Sequence, residues 1–124
     1  DVVVITWGAL VQRSMVAAQQ AEKEGVSVAV FDLRTIMPYD WEGIAELVRK
    51  TSKVIVAHED TLTCGFGAEI AARIGEELFE FLDAPVKRIG AMDVPIPFSP
   101  VLEDLTVPNE KAVVEAAKAL CRKA

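Results

Sequence analysis

The single histidine of the chain lies at the end of a strand-like run and is followed by two carboxylates, His58-Glu59-Asp60. An imidazole in that company can act as a general base or as a metal ligand. It can equally close a strand by bonding a backbone group or a carboxylate. There is no second histidine, and metal sites usually draw on three or four ligands. The structural use is therefore the simpler one. Four residues later comes Cys64-Gly65-Phe66-Gly67, directly ahead of a helical pattern. Backbone amides at a helix start can bind an anion. The spacing is only G-x-G, however, without the third glycine of a dinucleotide fingerprint. Glycines at that position also serve close packing of helix on sheet. Cys64 could carry a lowered thiol pKa there, or act as a small apolar residue. Asp32 and Arg34 flank Leu33 and could face one crevice wall; an ion pair that locks the following loop is the plainer use. Neither a nucleophile elbow nor a P-loop can be found.

A different kind of candidate is the stretch from Asp93 to Asp104. Pro95-Ile96-Pro97-Phe98 joins stiff backbone to apolar side chains that read as exposed. It suits a docking surface for another domain or subunit, or a loop folded back on its own sheet.

These residues need a scaffold. Residues 2–6, Val-Val-Val-Ile-Thr, are continuously apolar, as in a strand buried on both faces. Residues 10–24 follow with helical spacing, stopped by Gly25. Strands are predicted at 26–33, 53–58 and 86–89, and helices at 41–50, 68–82 and 109–122. Asp40 and Asn109 are placed to cap the second and last helices. Residues 95–108 carry four prolines, which predicts no regular helix there. Strands alternating with helices predict a three-layer α/β/α fold around a mainly parallel sheet of four strands. In such sheets chemistry belongs beyond the strands' carboxyl ends, at the point where strand order reverses. Those ends carry Thr6-Trp7-Gly8, Asp32 to Thr35, His58 to Asp60 and Met92-Asp93.

The 124 residues fit one domain. A net charge of −6 argues against a nucleic-acid partner and for a basic protein partner. Two cysteines make neither a disulfide framework nor a zinc site, and a reducing cytoplasm is the simplest location. No apolar run is long enough for a bilayer. The start at Asp1, straight into a strand pattern, is expected of a piece of a longer chain.

Five segments, in order, carry a resemblance. Asp32-Leu33-Arg34-Thr35-Ile36-Met37-Pro38-Tyr39-Asp40, Ile55 to Asp60 with Gly65 to Ile70, Asp83-Ala84-Pro85-Val86-Lys87-Arg88, Asp93-Val94-Pro95-Ile96-Pro97, and Pro108-Asn109 resemble the C-terminal domain of the 2-oxoacid dehydrogenase β subunit. The resemblance covers nearly the whole chain, and His58-Glu59 is more similar to the branched-chain (2-oxoisovalerate) type than to the pyruvate type. It implies the transketolase C-terminal-domain fold, with a fifth, antiparallel edge strand upstream of Asp1. It implies a parent enzyme that uses thiamine diphosphate and a divalent metal for oxidative decarboxylation of a 2-oxoacid with acyl transfer to lipoyl. Both groups are expected outside this domain, which by itself is expected to bind no cofactor and catalyse nothing. The implied partners are an α subunit and a second β subunit of a heterotetramer, or a fused equivalent, and the acyltransferase component. Asp83 and the terminal carboxylate of Ala124 are implied contacts of that component's basic subunit-binding domain, and residues 95–98 an implied subunit interface. A stand-alone ligand- or anion-binding module, or the same domain of another thiamine enzyme, are the alternatives.

Overall fold

A computed structural model describes residues 1–122. The elements are β1 (Val2–Thr6), α1 (Ala9–Lys23), β2 (Val28–Asp32), α2 (Trp41–Thr51), β3 (Val54–Thr61), α3 (Phe66–Glu77), a 3-10 turn (Phe79–Phe81), β4 (Lys87–Ala91), α4 (Pro100–Thr106) and α5 (Glu110–Cys121). The sheet order is β2-β1-β3-β4 and each pairing is parallel. Alternation along β1 sorts the core. Val2 and Val4 face α1 and α5 with Ile55, Ala57, Ala17, Val113 and Ala117. Val3 and Ile5 face α2 and α3 with Val54, Val56, Ile44, Val48, Ile70 and Ile74. The continuous apolarity of β1 is thus used on both faces, as a central parallel strand requires. The expected three-layer architecture with four parallel strands is present. The fifth strand was expected upstream, outside this sequence.

Helix ends follow local chemistry. The Gly43 amide donates to Asp40 Oδ1 at 3.0 Å and the Ala112 amide to Asn109 Oδ1 at 3.2 Å, so both expected caps form. At the end of α1 the amides of Gly25 and Val26 donate to the carbonyls of Glu22 and Ala21. With Gly25 at φ +83°, this is a Schellman stop.

Three expectations are corrected. A helix forms within the proline-bearing stretch: Pro100 occupies its first turn, where no intrahelical N–H is needed, and 101–106 contain no proline. β3 continues past His58 to Thr61, because the pairing with β4 resumes at Thr61 and Ala91 after an irregularity. The helix expected over 68–82 starts two residues earlier and gives way to the 3-10 turn after Glu77.

Two glycines isolate backbone effects, since a Cβ on Gly25 or Gly75 meets nothing within 4 Å. Gly25→Ala places a side chain at positive φ and is expected to destabilise by about 1 kcal/mol. Gly75→Ala, inside α3, is expected to stabilise by roughly 1 kcal/mol. Urea titration of the two variants checks the opposite signs.

Candidate functional site

The strand order reverses between β1 and β3, so the expected crevice lies where Trp7 and His58 emerge. It is filled by the protein's own rings. His58 is fully buried. Trp7 stacks on it with centroids 5.3 Å apart. Phe66, from the start of α3, meets Trp7 edge-on at 5.8 Å and Tyr39 at 5.9 Å. Tyr39 in turn meets Trp41 at 6.4 Å. Arg73 closes this aromatic row. Its guanidinium lies 4.0 Å from the Trp41 ring centroid, donates to Tyr39 Oη at 3.0 Å and bonds Glu77 at 2.7 Å. Loops from three strands therefore converge through aromatic contacts.

The His58 ring explains the nearby glycines. A Cβ on Gly67 would collide with His58 Cδ2 and Nε2. One on Gly65 would collide with the Thr61 carbonyl and lie 2.8 Å from His58 Cε1, and one on Gly90 would lie 3.0 Å from that atom. The packing role of the G-x-G segment, not an anion cradle, is what the geometry uses. Nδ1 lies 3.1 Å from the Asp60 carbonyl. A carbonyl only accepts, so Nδ1 carries the proton and Nε2 is bare. Nε2 is buried without a hydrogen-bond partner among the described residues. Burial lowers the pKa of His58 from its usual value, opposed by the bond to the Asp60 backbone and the Asp60 carboxylate. The ring is kept neutral.

Glu59 and Asp60 point outward and are exposed. Among the described residues no group of three His, Cys, Asp or Glu side chains could hold a metal ion. Cys64 is exposed, at φ 60°. Asp32 and Arg34 form the expected pair at 3.7 Å, and Asp32 Oδ1 also accepts the Arg34 amide at 3.0 Å. With the Arg34 side chain 85% exposed, the pair fixes the loop more than it contributes energy.

The exposed apolar surface lies elsewhere. Phe98 is fully exposed, Pro95 and Ile96 are exposed, and Pro97 is half-buried. Met92, Val101, Leu102 and Leu105 extend the strip onto α4. The loop is held at its root. The Thr63 amide donates to Asp93 Oδ1 at 3.1 Å and the Thr63 hydroxyl to Asp93 Oδ2, which lowers the Asp93 pKa. The α4 half of this strip escaped sequence reading because the prolines masked the helix. Its apolar residues at 98, 101, 102 and 105 are the signal that could have found it.

Asp83 is exposed beside an open groove of about 730 Å3 between α3 and the 83–86 segment. Ala68, Ala72, Gly75, Phe79, Leu82 and Pro85 are among its lining residues. The Asp83 amide is held by the Ser52 carbonyl at 2.9 Å, and its carboxylate lies 3.8 Å from Lys53 Nζ. The spacing of small residues at 68, 72 and 75 was the unused sequence signal for this groove. Ala124 lies outside the described residues.

Parallel α/β/α layers, a switch-point crevice occupied by its own rings, and an apolar strip displayed on a loop and short helix define a domain built around packing. The chain belongs to the transketolase C-terminal-domain family, whose pattern matches residues 1–113. It is 40% identical over 119 residues to the Staphylococcus epidermidis pyruvate dehydrogenase E1 component subunit beta, covering 96% of this chain and 36% of the relative. The Rickettsia felis subunit of the same name is 38% identical over 121 residues, covering 98% and 37%. Among solved structures, a split-gene transketolase described as an inactive β4 tetramer superposes with a TM-score of 0.83 at 28% identity, covering 98% of this chain and 38% of that one. The chain thus spans about a third of the length of these curated relatives. They are named for pyruvate, and they lend no support to the branched-chain preference.

The glycine cage yields a coupling prediction. Gly67→Ala is expected to cost about 1–3 kcal/mol by overpacking. In a His58→Ala background the same change should cost much less. A double-mutant cycle by denaturant titration measures the difference; additive costs would mean that His58 does not set the Gly67 requirement.

Proposed function

We propose that this domain serves assembly and partner docking in a thiamine-diphosphate-dependent 2-oxoacid dehydrogenase. Family membership and the beta-subunit relatives support the enzyme class. The observation that carries the assembly role is the apolar strip over residues 92–105, with Phe98 wholly uncovered. Exposed apolar groups gathered in one place mark contact surfaces. The parent reaction is oxidative decarboxylation of a 2-oxoacid with acyl transfer to lipoyl. The described residues do not fit the cofactor: Trp7 and His58 fill the switch-point crevice, and no metal-ligand cluster accompanies them. In this reading thiamine diphosphate and its divalent metal are held by other parts of the parent enzyme. His58-Glu59 supplies packing and an outward carboxylate, and the relatives, named for pyruvate, do not support the branched-chain preference.

The partners in this reading are an α subunit and a second β subunit, or a fused equivalent, meeting residues 95–98 and α4. A basic domain of the acyltransferase meets Asp83, with the carboxylate of Ala124 as a second contact. The net charge of −6 suits a basic partner and disfavours nucleic acid. No helix among the described residues is long and apolar enough to cross a membrane, and the cytoplasm remains the proposed location. A ligand-binding module in the crevice is disfavoured by the rings that fill it. The structural likeness to a transketolase supports the shared fold, while the higher sequence identity to the dehydrogenase subunits favours that class.

Replacing Phe98 and Leu105 together by Ser should weaken assembly of the full-length protein by more than tenfold, the loss of about 2 kcal/mol expected of two buried anchors. Sedimentation velocity checks this, and an unchanged oligomer removes the strip as an interface. Asp83→Lys should weaken acyltransferase binding roughly tenfold, with the difference shrinking at high salt. Titration calorimetry at two salt concentrations measures it.

A further inference from the structure

The buried imidazole and the exposed strip are joined by a continuous set of hydrogen bonds. From His58 Nδ1 the path enters the Asp60 carbonyl. Asp60 Oδ1 accepts the Thr61 amide at 2.8 Å, and the Thr61 hydroxyl donates to the Thr63 carbonyl at 3.0 Å. Thr63 then holds both carboxylate oxygens of Asp93, where the strip's loop begins. Two bonds to β4 brace the same loop: the Leu62 amide donates to the Ala91 carbonyl at 3.2 Å, and Arg88 donates to the Leu62 carbonyl at 3.0 Å.

This closed arrangement admits only one form of the ring. Nδ1 is already committed as donor. A second proton would place an N–H and a positive charge at Nε2, against Gly65 and Gly67, with no acceptor. A buried unpaired donor is costly and a buried charge more so. We propose that His58 is a proton-sensitive latch: protonation at Nε2 opens the loop between β3 and α3, releases Thr63 from Asp93, and loosens the apolar strip. The functional consequence rests on the reading of that strip as an interface; the latch itself does not.

The surrounding charges define the pH window. On β3, Asp60 favours a positive ring, while Glu59 is exposed, its Oε1 beside Gly8. On β4, Arg88 opposes a positive ring. The β1 end contributes Trp7 and the α3 start contributes Phe66 and Gly67, none of which titrates; the nearby Cys64 is exposed. The closed-state pKa lies below the ordinary imidazole value of 6.5. Above that value both open and closed states hold a neutral ring and the latch is at full strength. Below it the open state takes up the proton first, and closure weakens by about tenfold per pH unit until the closed ring's own pKa is reached. The Asp93 pKa is depressed from 3.8, so protonation of that carboxylate starts well below the pH at which the open-state imidazole takes up its proton.

The test is amide hydrogen exchange of the full-length protein from pH 7.5 to 5.0, corrected for intrinsic rates. Protection of the hydrogen-bonded amides of Thr61, Leu62, Thr63 and Val94 should fall by up to tenfold per pH unit below about 6.5, while β1 and β3 core amides stay protected. His58→Asn keeps a donor for the Asp60 carbonyl and does not titrate, so its protection should be flat with pH. The same pH dependence in His58→Asn as in the natural protein would overturn the latch. Asp93→Ala removes both bonds from Thr63 and leaves His58 in place, so it should expose the Thr63 and Val94 amides at every pH while the Thr61 and Leu62 amides keep their pH dependence. Unchanged protection of the Val94 amide in that variant would overturn the coupling. If exchange behaves as expected but the Phe98/Leu105 double variant assembles normally, the interface reading fails while the latch stands.

Discussion

A neutral imidazole packed into a cage of glycines at the reversal point of the sheet is the constraint around which this domain is arranged. His58 leaves β3 on the α2–α3 face and must be accommodated with one nitrogen bonded and the other bare. Leaving that nitrogen without a partner costs about 1–3 kcal/mol. Stacking on Trp7 and close contact with the start of α3 offset it. Because the ring occupies the space a Cβ would take at positions 65, 67 and 90, it fixes how near α3 and β4 can approach β3. The location where related sheets hold ligands is consequently used for packing.

That use separates the domain's two surfaces from its interior. Charged groups near the strand ends turn outward, as Glu59, Asp60 and Arg34 do. Beside Met15, Val16, Ile36 and Met37, the apolar groups left uncovered collect beyond β4, from Met92 to Leu105, and around the groove beside Asp83. A short helix begun by Pro100 gives the first of these surfaces a regular face. The Thr63–Asp93 clamp ties it to the same loop that the imidazole anchors. Packing in the interior and presentation of the apolar strip are thereby one problem with one set of residues.

Much of the scaffold could be read from the residues because its signals are local. Continuous β-branched runs marked the strands. Asp40 and Asn109 marked helix starts, and Gly25 marked a stop. The α4 helix was missed because counting prolines ignores their position: at the first turn of a helix proline is tolerated, and only further inside does it break one. The aromatic row was missed for a different reason. Trp7, Tyr39, Trp41, Phe66 and Arg73 come from distant parts of the chain, and only the strand order brings them together. His58 carried the right ambiguity, since sequence alone cannot distinguish a histidine that faces solvent from one enclosed by glycines. Exposure of residues 95–98 was legible from their composition, whereas their continuity with α4 required the fold.

The central claim is that the strip from Met92 to Leu105 is contact surface, held in place by the packing around His58. The most direct measurement is the solvent accessibility of Phe98 in the assembled full-length protein, by cryo-electron microscopy of the intact oligomer. The account predicts that Phe98 and the outward face of α4 are buried against a neighbouring subunit. Phe98 facing open solvent in a complete, well-ordered assembly would contradict it.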